Sequence, residues 1–227
     1  MARTPPGLIA SPAASFGGLV AAYSRAVVRR ASVAIVPETP LPQSPTLWIS
    51  WHECNLIALA LHSLVSSRRA VAFVPPGISG SAMSAWLSGL GVTPVPLAPD
   101  ARRGLALRQM EAALGSGKDV LIAVDGPTGP RQRIAPGAMW LARTTDAEIR
   151  PTACWASPAL RLPRWDRLIV PLLRARIALV VGSPLPKQKS DEAIERLAAM
   201  LRRLSERARA EVMARPKLMP KEAVPWR

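Results

Sequence analysis

The chain has 227 residues, with 30 Lys and Arg against 15 Asp and Glu, a net charge of +15 and an apolar fraction of 49%. This length and apolar content fit one α/β domain with a sizeable core, and no run of about 18 uncharged apolar residues is present to cross a bilayer. Cys54 and Cys154 have no CxxC spacing and no histidine cluster beside them, which argues against zinc and for small buried hydrophobes in a reducing cytosol.

Residues 1–17 read as loose, and a basic helix is expected from Gly18 to Val33. No acid precedes Glu38, and Arg25, Arg29 and Arg30 interrupt the apolar residues, so the pattern fits a helix lying on an anionic membrane or an ordinary surface helix. A Pro-rich connector runs from Pro37 to Pro45 and closes an N-terminal section, 1–45, ahead of a main domain at 46–214 and a flexible tail at 215–227. Thr46 to Ser50 is a short strand ending at Trp51-His52, and Leu56 to Ser66 is a buried helix.

Arg69 to Val74 is the next strand, stopped by Pro75-Pro76-Gly77, and Ser79 to Leu90 is a helix ended by Gly91. Val92 to Leu97 carries Pro94 and Pro96, so it belongs at an edge or is irregular. Arg102 to Leu114 is an amphipathic helix. Val120 to Val124 is an apolar strand, and Asp125 begins a turn rich in Gly and Pro. Further on come a short helix at Ala138–Thr145, a strand at Ile149–Trp155, a loop at Ser157–Asp166, a strand at Ile177–Gly182 and a long helix from Ser190 or Asp191 to Ala214. Ile194, Leu197, Leu201, Leu204, Ala208 and Val212 form the apolar face of that helix, with Arg202, Arg203, Arg207 and Arg209 among the positions read as solvated.

Strands alternating with helices predict an α/β fold with a mixed, mostly parallel central sheet flanked by helices. Ligands on such sheets sit at the strand carboxyl ends. Trp51-His52, Pro75-Pro76-Gly77 and Asp125-Gly126 all follow expected strands, so parallel pairing brings them to one rim. Gly115-Ser116-Gly117-Lys118 has a superficial phosphate-loop look, but Ala112 and Asp119 stand where that motif needs Gly and Ser or Thr.

Several segments occur in a characteristic order: Trp51-His52, Gly91-Val92-Thr93-Pro94-Val95, Asp125-Gly126-Pro127-Thr128-Gly129-Pro130-Arg131, Pro136-Gly137-Ala138, Trp165-Asp166-Arg167 and Val181-Gly182-Ser183-Pro184. Over Leu47 to Pro186 this resembles the lysophospholipid acyltransferase superfamily, and more narrowly a bacterial branch with an Asp-Gly-Pro-x-Gly-Pro signature. The resemblance implies transfer of an acyl group from acyl-CoA or acyl carrier protein to a hydroxyl of a lysophospholipid or other lipid acceptor, with no metal or prosthetic group. It implies a peripheral enzyme on the anionic inner face of a bacterial plasma membrane.

Such enzymes use a His-x4-Asp dyad, and His52 matches the histidine as general base. The acid position holds Ile57 instead. Asp125 is the favoured substitute, Asp100 is third to it and to the adjacent Glu53, and Ser79 or Ser81 offers a neutral hydrogen bond. Glu53 should point away from its neighbour on a helix. Gly126, Thr128 and Arg131 align loosely with the family's acceptor-binding loop, where glycine amides and an arginine hold phosphate. Arg102 and Arg103 are implied as further phosphate contacts, and the 56–66 helix as part of an acyl groove.

Each residue has a plainer reading. His52 can be structural, and His62 has no accompanying motif. Asp125 can simply bond its own loop amides. The missing acid at residue 57 keeps open an inactive homologue that binds lipid or an acidic partner. Nucleic-acid binding rests on charge alone, without a motif or an aromatic platform.

Overall fold

The computed structural model describes residues 11–97, 103–126, 128–135, 146–185 and 192–214. The first helix, α1, spans Pro12–Arg30, so it starts earlier than its apolar run indicates. Ser11 caps it by accepting the Ala14 amide hydrogen at 3.3 Å, and Pro12 sits at the first helical position. The helix ends early too. Ser32–Pro37 forms a strand, β1, where the sequence indicates helix and connector. Val33, Ile35 and Val36 are β-branched, and β7 supplies them with a parallel partner.

The remaining elements are β2 (Thr46–Ser50), α2 (Asn55–Leu61), β3 (Ala70–Val74), α3 (Gly77–Gly89), β4 (Val92–Pro96), α4 (Arg103–Gly115), β5 (Asp119–Ala123), β6 (Glu148–Arg161), β7 (Ile169–Val181) and α5 (Glu192–Ala214). One seven-stranded sheet has the order β1-β7-β6-β2-β5-β3-β4. β2 to β6 run parallel, while β7 is antiparallel to β6 and β1 follows β7. β4, with its prolines, occupies one edge. β1 occupies the other, so the sheet takes in residues from the N-terminal section and does not begin at Thr46.

Alternate side chains divide between the two faces. Trp48, Ala72 and Leu121 join a core with Val27 of α1, Ile57 and Leu61 of α2, and Leu87 of α3. Leu47, Ile49, Val71 and Ile122 pack against Met110 of α4 and Leu201 of α5. Leu56, Ile57, Ala60 and Leu61 of the 56–66 segment are all buried and contribute to the core. α1 and α3 approach closely because Gly17 has no side chain: a Cβ there would stand 2.0 Å from the Ala82 carbonyl oxygen.

Two polar clamps fasten the periphery. Arg150 is buried on β6 and donates to Glu148, to the Gly182 carbonyl at 3.0 Å and to the Pro40 carbonyl at 2.6 Å. Glu38, just past β1, accepts from Arg203 at 2.8 and 3.0 Å and from Arg207 at 3.0 Å. Those α5 arginines are therefore not merely solvated. Hydrogen bonds from Arg203 outweigh partial burial and hold the Glu38 carboxyl below its ordinary range. The first half of the segment 157–166, read as a loop, is strand: β6 continues to Arg161, and a turn then leads to β7 at Ile169, giving a long hairpin. The expected helix at Ala138–Thr145 lies outside the described residues.

Candidate active site

β2 and β5 are adjacent and parallel, with Ser50 opposite Ala123. Two residues further along each strand the same register faces His52 with Asp125. The Val124 amide still donates to the Ser50 carbonyl at 2.9 Å, so the pairing continues past the formal strand ends. The His52 amide donates to Asp125 Oδ1 at 2.8 Å, and His52 Nδ1 lies 3.3 Å from the same oxygen. The Asp125 side chain is fully buried, whereas the His52 side chain keeps 18% exposure. One nitrogen of the ring faces a carboxylate and the ring remains reachable from outside.

The turn after Asp125 is fixed by its own backbone. Gly126 (φ +67°) and Gly129 (φ +80°) occupy the left-handed region that glycine tolerates. The Ala135 amide donates to the Val124 carbonyl at 2.6 Å and closes the loop at its base. The Gln132 amide donates to Asp125 Oδ2 at 3.1 Å, so both carboxylate oxygens are used. Asp125 thus caps its loop and also faces the imidazole.

Glu53 has a task of its own. It is 3% exposed and accepts from Arg131 Nε at 3.1 Å, from Arg131 Nη2 and from Gln132 Nε2 at 3.2 Å. Arg131, expected to bind an acceptor anion, is ion-paired to Glu53 and only partly exposed, with 34% of its side chain accessible. The ion pair ties the Asp125 turn to the segment carrying His52. Sequence reasoning missed Gln132 and this pairing, which joins residues far apart in the chain.

Trp165, from the β6–β7 connection, covers the site. Its ring centroid is 5.1 Å from that of His52 at 55°. It also lies against Gly129, where a Cβ would come within 2.6 Å of Trp165 Cε3. Behind the histidine, Cys54 and Cys154 are both buried and unbridged, and the Cys154 amide donates to Cys54 Sγ at 3.3 Å. Burial, reinforced by the neighbouring thiol, pushes the Cys154 thiol well up.

The other expected site residues are dispersed. Thr128 is exposed on the turn. Arg103 opens α4, while Arg102 and Asp100 lie outside the described residues. Ser81 bonds the Gly77 carbonyl within its own helix at 3.4 Å, and Ser79 is exposed on the same helix. Ile57 is 2% exposed in the core, so the position of the usual acid carries packing.

A second imidazole–carboxylate pair, missed from the sequence, sits at the opposite end of β5. Asp119 Oδ2 is 2.8 Å from His62 Nε2 and accepts the Trp48 indole hydrogen at 2.9 Å, and Oδ1 accepts the Thr46 amide at 3.0 Å. Asp119 is fully buried and His62 is 6% exposed, so this pair is enclosed structure. Among the described residues no group of three or more His, Cys, Asp and Glu could hold a metal.

No family profile matches the chain. A curated relative, "Uncharacterized protein RP090" of Rickettsia prowazekii (strain Madrid E), is 27% identical over 145 residues, which is 64% of this chain. The match spans 66% of that relative's length. The crystal structure of the 1-acyl-sn-glycerophosphate acyltransferase PlsC from Thermotoga maritima superposes with a TM-score of 0.55, covering 88% of this chain and 81% of the other at 16% identity. The chain therefore has a PlsC-like fold, a mixed sheet of seven strands flanked by helices.

Proposed function

We propose that the protein is an O-acyltransferase that moves a fatty acyl group from acyl-CoA or acyl carrier protein to the hydroxyl of a lysophospholipid or related lipid at an anionic membrane surface. The observation that carries this reading is the 3.3 Å approach of His52 Nδ1 to Asp125 on the rim of a PlsC-like sheet. Asp125, on a neighbouring strand end, takes the place of the acid that the superfamily keeps on the histidine's own segment. With Nδ1–H directed at the carboxylate, Nε2 carries the lone pair. It accepts the hydroxyl proton as the acceptor oxygen attacks the thioester carbonyl. The carbon–sulfur bond then breaks, and the departing thiolate recovers the proton from the imidazolium. Asp125 supports that cation.

The glycine turn at 126–129 is offered as the site of the acceptor's anionic group, with Thr128 as an exposed hydroxyl donor. Arg131 braces the turn through Glu53 and adds its remaining exposed donors. Arg102 and Arg103 stay candidates for phosphate contacts. The chemistry calls for no metal or prosthetic group.

The test is thioester consumption with acyl-CoA and with acyl carrier protein across a panel of lysolipids. Wild type should release free thiol only with an acceptor present, and His52→Ala should reduce the rate by at least about a hundredfold. An alanine variant as active as wild type removes the imidazole from the mechanism.

A further inference from the structure

β6 pairs with β2 only from Glu148 to Pro151 and then continues for ten residues beside β7 alone. Because β6 is parallel to β2, this arm leaves the sheet at the rim that bears His52. A register shift between Ser157 and Ala159, with Arg174 opposite in a left-handed conformation (φ +65°), bends the arm. Its connecting segment then lays Trp165 against His52. β1 accompanies β7 only over Arg176–Val181, so the first half of β7 has no strand on that side among the described residues.

The arm presents apolar and cationic groups together. Leu160, Leu172 and Leu173 are 56%, 39% and 51% exposed. Leu160 faces Val170 across the ladder, and Leu172 and Leu173 lie in the register shift just beyond Pro171. Arg161, Arg164, Arg167 and Arg174 are also exposed. The single acid between Ser157 and Arg176 is Asp166, which is buried and paired to Arg164 at 3.4 Å. Ile169 and Ala175 anchor the arm in the core, and its exposed leucines, with guanidinium groups along it and no exposed acid, match an acyl boundary beneath anionic headgroups.

We propose that the β6–β7 arm is the lipid-docking element, inserting Leu160, Leu172 and Leu173 at the surface of an anionic phospholipid bilayer and so presenting the His52 rim to it. This deepens the acyltransferase reading and rests on it for its purpose, but not for its binding test. Vesicles of equal parts phosphatidylglycerol and phosphatidylcholine are sedimented with wild type, with Leu172→Asp/Leu173→Asp, with Arg174→Asn and with Leu160→Asp. Asparagine is chosen at residue 174 because it tolerates positive φ. Leu160→Asp, on the other strand, serves if the double variant does not melt cooperatively near the wild-type temperature.

The aspartate variants should bind about tenfold more weakly and Arg174→Asn severalfold more weakly, and wild type should lose about tenfold on pure phosphatidylcholine. Aspartate variants that bind as wild type overturn the proposal. So does a wild type that holds acyl carrier protein through this arm and ignores the vesicles. Thioester consumption with a short-chain, fully dissolved acceptor should be unchanged in all variants. If wild type consumes no thioester while vesicle binding follows the expected pattern, the transferase reading fails and the docking surface stands.

Discussion

Gly129 lies against the Trp165 indole, in a position where any Cβ would stand 2.6 Å from Cε3. The contact joins the Asp125 turn to the β6–β7 arm, and Trp165 reaches His52 through the same ring. Gly129→Ala should therefore do two things. It should cost about 1 kcal/mol or more through positive-φ strain alone, and it should push the indole off the histidine. Thermal melts of Gly129→Ala, Trp165→Ala and the double variant test this. The double variant should be more stable than the sum of single effects implies, because removing the indole relieves the clash. Strict additivity would show that the two residues do not press on one another.

Asp125→Asn should separate structure from chemistry. The carboxylate accepts the His52 amide through Oδ1 and the Gln132 amide through Oδ2. An amide side chain has one acceptor oxygen, so one of these donors loses its partner, at about 1–3 kcal/mol. If Asp125 supports the imidazolium, kcat in the thioester assay should fall by about 10²–10⁴. A variant destabilised by this amount but fully active would leave Asp125 as a loop cap alone.

Asp119 governs an acid-labile contribution. Burial pushes its carboxyl up, but hydrogen bonds from His62, Ser66, Trp48 and the Thr46 amide outweigh that and hold it below the ordinary value. A group depressed in the folded state adds stability above its unfolded value, near 3.9, and loses it as pH falls through the folded one. The urea midpoint of wild type should exceed that of Asp119→Asn at pH 7, and the gap should narrow below about pH 4. A gap of equal size at pH 7 and pH 3 would contradict the ionic origin.

Gly17 and Gly18 are neighbours with opposite expectations. A Cβ at Gly17 would overlap the Ala82 carbonyl oxygen at 2.0 Å, whereas one at Gly18 meets nothing within 4 Å. Gly17→Ala should force α1 away from α3 and destabilise the fold by about 1–3 kcal/mol. Gly18→Ala, at an exposed helix interior, should add about 0.5–1 kcal/mol. Chemical denaturation of the pair checks both signs.

The parallel strands and their rim were legible in the sequence because each is a short apolar run closed by a turn residue: Ser50 before Trp51-His52, Val124 before Asp125-Gly126. Local pattern suffices there. It does not suffice for β1, which follows a basic helix almost without a break and becomes a strand only because Arg176–Val181 lies beside it. The arm was hidden for a related reason. Pro158, Pro163 and closely spaced arginines look like loop, and its pairing is revealed only by the register of Ala159 with Pro171. The His52–Asp125 approach was anticipated because both follow expected strands whose parallel pairing brings them to one rim, and the structure makes those strands neighbours. Partnerships such as Glu53 with Arg131 and His62 with Asp119 join side chains whose spacing has no local period, so they appear only once the sheet is assembled.

The pairing of Ser32 with Arg176 also constrains how the molecule is made on the ribosome. The edge strand is translated early and waits for a neighbour until β7 has emerged. Through that interval its backbone is open to other chains, and the preceding basic helix has no finished sheet to rest on. Sheet closure therefore comes late in synthesis, with Arg203 and Arg207 of α5 arriving afterwards to grip Glu38 and lock the seam.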